Sequence, residues 1–372
     1  MKSKEFLVFA QKMFEAGLPF IVEGQPGMAK TALIELAANL AGMDCIVTHP
    51  AVRSPIDYGG IPAQVKPAAG KKDAEWDFVP IGDLRRLVSA KKPTVFFMDD
   101  FGQGSTATQN ATCHLIHARQ IGENKISDHV RICAATNRAQ DKSGVSPILE
   151  HVKSRFATIV HLDPDVDAWL DWAWTVDDIG LLNQVEPMPP ALIAFIAWKR
   201  SLLYGFEPKP GLENTPTPRT VHHVGQILAA GAVTETTAFE IISGAAGRGF
   251  ATELMAFLKV HAHLPDPEEV LKDPDIIDRM MFEQYGWDEA KGGVVSLGTT
   301  SVAKRPDVAF ALVTSAADVV EPNQMLHYVK LLKKFDKPVE VLGMLLVKNR
   351  GTKFLETRAF IGWARDNQSY MM

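Results

Sequence analysis

Cysteine is scarce: Cys45, Cys113 and Cys133 are the only three in a chain of 372 residues. No two stand at C-x-x-C spacing, so a disulfide framework is excluded and the count suits a reducing compartment. Long apolar runs are missing as well. No stretch approaches the ~18 consecutive apolar residues of a membrane span. The opening MKSKEFLVFAQKMFEAG has two early lysines but neither a long apolar core nor a small-residue cleavage site, which makes it a poor signal peptide. There is no excess of positive charge: 39 Lys and Arg stand against 44 Asp and Glu, a formal net charge of −5. A chain that coats nucleic acid nonspecifically needs a basic stripe, and this balance argues against one. Internal repeats and low-complexity tracts are also absent. What is present is ordinary for a globular protein, with 46% hydrophobic and 22% charged residues. The expectation is a soluble, cytoplasmic protein of two or three domains.

The first half of the chain alternates short apolar runs with helical patterns. Strands are expected at Pro19–Glu23, Asp44–Thr48, Thr94–Asp99, Arg131–Thr136 and Ala157–His161, and the clearest helix at Lys30–Ala41. Such alternation implies an α/β fold with a mostly parallel sheet between helices. Strands buried on both faces read as continuous apolar runs, as these do. Phe6, Phe9, Ala10, Met13 and Phe14 recur at helical spacing ahead of the first strand. Residues 55–80, rich in Pro, Gly and Lys, read as a loop or hairpin insertion, and residues 119–126 as a second small hairpin. Beyond about Asp163 the strand-like runs stop and helices punctuated by proline take over. Residues 264–300 are loosely patterned, and 306–366 return to helix. Boundaries are expected near 163 and 265, giving segments 1–163, 164–265 and 266–372.

The most informative segment is Glu23–Thr31 (EGQPGMAKT), which follows an apolar strand and opens a helix. In a phosphate loop, successive backbone N–H groups face a concavity that holds phosphate oxygens, and the helix N-terminus adds its positive end. Gly24, Gln25, Pro26, Gly27, Met28, Ala29, Lys30 and Thr31 form the candidate cradle. Lys30 would reach the β- and γ-phosphates and the Thr31 hydroxyl would ligate Mg²⁺. Against the pattern G-x-x-x-x-G-K-[ST], the second glycine is Ala29, a real departure.

The run VFFMDD ends a hydrophobic strand in two acids. Asp99 would hold Mg²⁺, and Asp100 would orient or deprotonate an attacking water. Many ATPases carry Glu at the second position; Asp is one methylene shorter, which suggests slow or partner-dependent hydrolysis. Asn137 follows the apolar run ICAAT and could position that water, although an isolated Asn at a strand end is most simply a turn residue. Arg155, in SRF, is a candidate arginine finger for a neighbouring subunit, and Arg219, in PTPRT, a candidate reporter of the γ-phosphate. For both, a plain surface arginine is an equally good local reading. Cys113, His114 and His117 share a stretch of helix but offer too few ligands for a metal site.

Taken together these residues resemble the AAA+ ATPases, and within them the MoxR type. EGQPGMAKT is similar to that family's phosphate loop. SPIDYGGIP, VFFMDDFGQGSTATQN, RQIGENKI, AATNR and SRF follow in the family's order. WDFVP, HLDPDVDAW, TPRT and LPDPEEV look like the versions carried by phages and prophages. The resemblance spans roughly residues 18–275. It implies a P-loop NTPase core with a five-stranded parallel sheet in the order 5-1-4-3-2, followed by a helical lid and a helical C-terminal region. It implies ATP or ADP and Mg²⁺ as ligands. Lys30 and Thr31 match Walker A, Asp99 and Asp100 Walker B, Asn137 sensor 1, Arg155 the arginine finger and Arg219 sensor 2. It implies a homo-oligomeric ring, usually a hexamer, that remodels a protein client, often beside a von Willebrand factor A domain protein. Two rival readings remain: a nucleic-acid motor using the two hairpins, and a nucleotide-gated scaffold with little hydrolysis.

Overall fold

The computed structural model describes residues 1–65, 75–141, 148–175, 188–208, 211–234, 236–288, 293–302 and 305–370. The chain divides into two compact units, residues 1–165 with 206–208, and residues 166–205 with 209–372.

The first unit is built on five parallel strands: β1 (Phe20–Glu23), β2 (Asp44–Thr48), β3 (Thr94–Met98), β4 (Val130–Thr136) and β5 (Thr158–His161). Their spatial order is β2-β3-β4-β1-β5, which is the 5-1-4-3-2 arrangement. Helices connect successive strands, as parallel pairing demands. The burial pattern separates the centre of the sheet from its edges. All five residues of β3 are buried and six of the seven in β4, whereas the edge strands β2 and β5 alternate. Continuous apolar runs therefore mark the interior strands, and the edges keep one wetter side.

Helix α1 (Ser3–Ala16) buries Phe6, Ala10 and Phe14, with Phe9 and Met13 only partly covered. The Phe20 ring of β1 meets Phe6, Phe9 and Phe14 at centroid distances of 5.2–6.3 Å. The helix stops at Gly17, whose φ of 67° lets the chain turn back toward β1. Helix α2 (Lys30–Leu40) then packs Ile34, Ala37 and Ala38 inward. Both expected hairpins are present. One pairs Ile61–Val65 with Glu75–Val79, and the other pairs Gln120–Ile121 with Asn124–Lys125.

The second unit is mostly helical. The helix Pro190–Trp198 buries six consecutive residues, Leu192 to Ala197, and so sits wholly inside the core. Its core is continuous, running from Trp169 through Phe195, Phe250 and Leu312 to Trp363. An antiparallel hairpin pairs Met281–Asp288 with Gly293–Ser301, with a register shift between Glu283 and Tyr285. Strands were not expected in this half of the chain. Among the described residues, no helix is long and apolar enough to cross a membrane.

Candidate functional site

The strand-loop-helix that the sequence announces is formed by β1, the turn at 24–29 and α2. Two left-handed residues make the turn: Gly27 at φ 75° and Ala29 at φ 62°. Glycine enters this region freely, and alanine does so at a cost. Ala29 is also the N-cap of α2 and contributes no side-chain cap. No capping side chain therefore competes for the first N–H groups of α2.

Lys30 opens the helix and is only 6% exposed. Its ammonium donates to the carbonyl oxygens of Gly24 (2.9 Å) and Gln25 (2.9 Å) and to Asn137 Oδ1 (2.7 Å). Thr31 Oγ1 donates to Asp99 Oδ2 at 2.6 Å. The other Asp99 oxygen accepts the Asp100 backbone N–H at 2.9 Å. Asn137 Nδ2 donates to Asp100 Oδ1 at 3.3 Å. Lys30, Thr31, Asp99, Asp100 and Asn137 thereby close into one circuit of side chains and backbone. It stands at the C-terminal ends of three neighbouring strands, β1, β3 and β4, where open α/β sheets place their ligand sites. The Asn137 amide can be oriented only one way here, since an ammonium is purely a donor and a carboxylate purely an acceptor.

Three features of this site had no place in the sequence reading. Glu35 lies one helical turn beyond Thr31, and burial, followed by the nearby Asp99 charge, holds its carboxyl above the ordinary range. The i, i+4 spacing from Thr31 was the available signal. Glu23 pairs with His161 Nδ1 at 2.7 Å across the ends of β1 and β5. Arg138 clasps the buried Asp141 through two bonds of 3.0 and 2.7 Å, a pairing that raises the guanidinium pKa. The oxygen-rich set of Thr31 hydroxyl and Asp99 carboxylate, with the partly buried Glu35 carboxyl nearby, fits a hard divalent cation such as Mg²⁺.

The circuit includes neither of the two predicted arginines. Arg155 lies just before β5 in the first unit and is exposed. Among the described residues its side chain has no hydrogen-bond or ionic partner. Arg219 is the second residue of the helix Pro218–Ala229 in the second unit and is also exposed.

The molecule is thus an α/β protein whose parallel sheet carries, at the C-terminal ends of its interior strands, a loop of phosphate-loop form, a buried lysine and a carboxylate pair. No protein-family model matches the chain. No curated protein matches it either. Among solved structures it is similar to the RuvB Holliday junction branch migration motor of Thermotoga maritima, at 16% identity over 74% of this chain and 76% of that one, with a TM-score of 0.37. It is also similar to NtrX from Brucella abortus in complex with ATP, at 12% identity over 100% of this chain and 68% of that one, with a TM-score of 0.40.

Proposed function

We propose that the chain is an AAA+ ATPase of the MoxR type, which binds ATP with Mg²⁺ and hydrolyses it within a homo-oligomeric ring, usually of six. The observation that carries this reading is the closed circuit from Lys30 and Thr31 through Asp99 and Asp100 to Asn137. Five residues named from three separate motifs meet within hydrogen-bond reach, on a sheet of the 5-1-4-3-2 order.

In this reading the loop 24–29 and the N-terminus of α2 cradle the phosphates, and Lys30 meets the outer two. Mg²⁺, held by Thr31 and Asp99, would supply charge neutralisation at the phosphate oxygens. Asp100 accepts the proton of the attacking water, and Asn137 orients that water through its amide. Arg155 is offered to the neighbouring subunit's phosphates. Residues 164–265 act as the lid carrying Arg219, and 266–372 as an extension fused to the same helical core. The client is a protein, with a von Willebrand factor A domain protein as the partner that the resemblance names. The resemblance to phage and prophage members and a cytoplasmic location belong to the same reading.

Lys30→Ala tests it directly: calorimetric titration with Mg-ATP is expected to lose binding, and intact ATP affinity in that variant overturns the assignment. A second reading, a nucleic-acid motor, is favoured by one observation. Trp76 is 73% and Phe78 49% exposed, on the same face of one hairpin. DNA-stimulated turnover with salt-dependent binding would select that reading.

A further inference from the structure

We infer that Glu35, which no motif of the site includes, sets how tightly the site takes a divalent cation. The inference rests on the phosphate-binding reading of residues 24–31 and adds a residue to that same site. Its basis is position. Glu35 stands four residues beyond Thr31 on α2, so the two side chains share one face of the helix. Helical side chains lean toward the helix N-terminus, which here is the phosphate-loop end. The charge of Asp99, at the end of β3, acts on the Glu35 carboxyl, and Glu35 in turn acts on Cys45 in β2. Thr31, Asp99 and Glu35 thus bring three oxygen-bearing side chains together between α2 and the sheet.

The two carboxyls differ in what surrounds them. Both Asp99 oxygens have a donor, Thr31 Oγ1 at 2.6 Å and the Asp100 backbone N–H at 2.9 Å. Glu35 has no hydrogen-bond or ionic partner among the described residues, although it is half-buried. Half-burial removes part of its hydration, and a like charge close by adds repulsion. A divalent cation held by Thr31 and Asp99 attracts both carboxylates at once and so outweighs that repulsion. Mg²⁺ keeps several of its waters when bound, and a carboxylate one helical turn from Thr31 can accept from them. The same residue therefore destabilises the fold without the cation and strengthens cation binding. A Glu on the open surface would do neither.

One substitution is expected to move two readouts in opposite directions. Glu35→Gln keeps the shape of the side chain and removes its charge. In EDTA without nucleotide, the full-chain variant is expected to melt about 2–4 °C above the parent by circular dichroism. A non-hydrolysable ATP analogue is then titrated by calorimetry across a series of Mg²⁺ concentrations. The variant is expected to need about tenfold more Mg²⁺ to reach half of its gain in affinity. In EDTA it binds the analogue no more weakly than the parent, which separates a cation effect from damage to the cradle. Equal Mg²⁺ midpoints in variant and parent overturn the inference, as does a variant that melts no higher or fails to fold. Analogue binding by the parent that is indifferent to Mg²⁺ overturns it as well. If the parent binds no analogue at any Mg²⁺ concentration, the phosphate-binding reading itself has failed. If it binds and Lys30→Ala abolishes this, a negative result at Glu35 counts against the role of Glu35 alone.

Discussion

Two residues in the site adopt left-handed backbone conformations, and each bears on a departure in the sequence. Ala29 stands where a phosphate loop usually has glycine, and its φ of 62° shows why glycine is usual there. A left-handed alanine is strained by roughly 1–2 kcal/mol. Glycine would return about 0.4–1 kcal/mol of this through its greater freedom in the unfolded chain. The strain is the larger effect, so Ala29→Gly is expected to stabilise the protein by about 0.5–1 kcal/mol. The check is a higher urea midpoint at unchanged slope; an unmoved or lower midpoint means that the turn is not strained. Asp100 lies at φ 52°. Asp enters this region far more readily than Glu, so the backbone favours the shorter acid at a position where many ATPases carry the longer one. The departure from the pattern at 29 was legible in the sequence, and its conformational basis was not. No local pattern reports φ at a residue that is neither glycine nor proline.

At the scale of elements, the two hairpins of the first unit lock together. The Asp77 carboxylate accepts from the Glu123 backbone N–H at 3.2 Å and from Asn124 Nδ2 at 3.3 Å, and Asn124 also reaches Phe78 O at 3.4 Å. Gly122, at φ 56°, lies so close beneath that a Cβ there would collide with the Asp77 carboxylate and stand 2.9 Å from Phe78 O. The carboxylate can rotate aside and the backbone oxygen cannot. Gly122→Ala is therefore expected to destabilise the hairpin pair by about 1–3 kcal/mol. Hydrogen exchange should quicken at 75–79 and 120–125 while β1 and α2 keep their protection; uniform protection across the unit would show that the hairpins are not interlocked. Glycine and asparagine announced the 119–126 hairpin in the sequence, but its docking on Asp77, more than forty residues away, left no local trace. The hairpin at 281–301 escaped for a different reason. Its register shifts between Glu283 and Tyr285 and Gly286 sits inside a strand, and both features blur the two-residue period on which strand recognition depends.

At the scale of the molecule, the helical half forms one continuous core, with Phe195 and Leu312 belonging to the same cluster. A texture change near 265 therefore coincides with no break in packing. The proposed ring is tested through Arg155 of the first unit. Its guanidinium is exposed and has no partner among the described residues. If it acts on a neighbour, Arg155→Ala should lower turnover by about 10³-fold or more while Mg-ATP affinity holds. Mixing the variant with Lys30→Ala chains should restore some turnover, because each contributes the part that the other lacks. Equal turnover by Arg155→Ala and the parent removes this arginine from the site.

The sequence by itself determined the parallel sheet, because strands buried on both faces must be apolar throughout and β3 and β4 are. It also determined the phosphate-loop turn, because its residues are contiguous and their spacing is their geometry. The tertiary structure alone decided that Asn137 touches Lys30 across 107 positions of chain, that Glu35 comes near enough to Asp99 to feel its charge, and that two hairpins share one carboxylate. Those contacts depend on which strands become neighbours in the sheet, and adjacency in space between distant segments has no period or local composition to betray it.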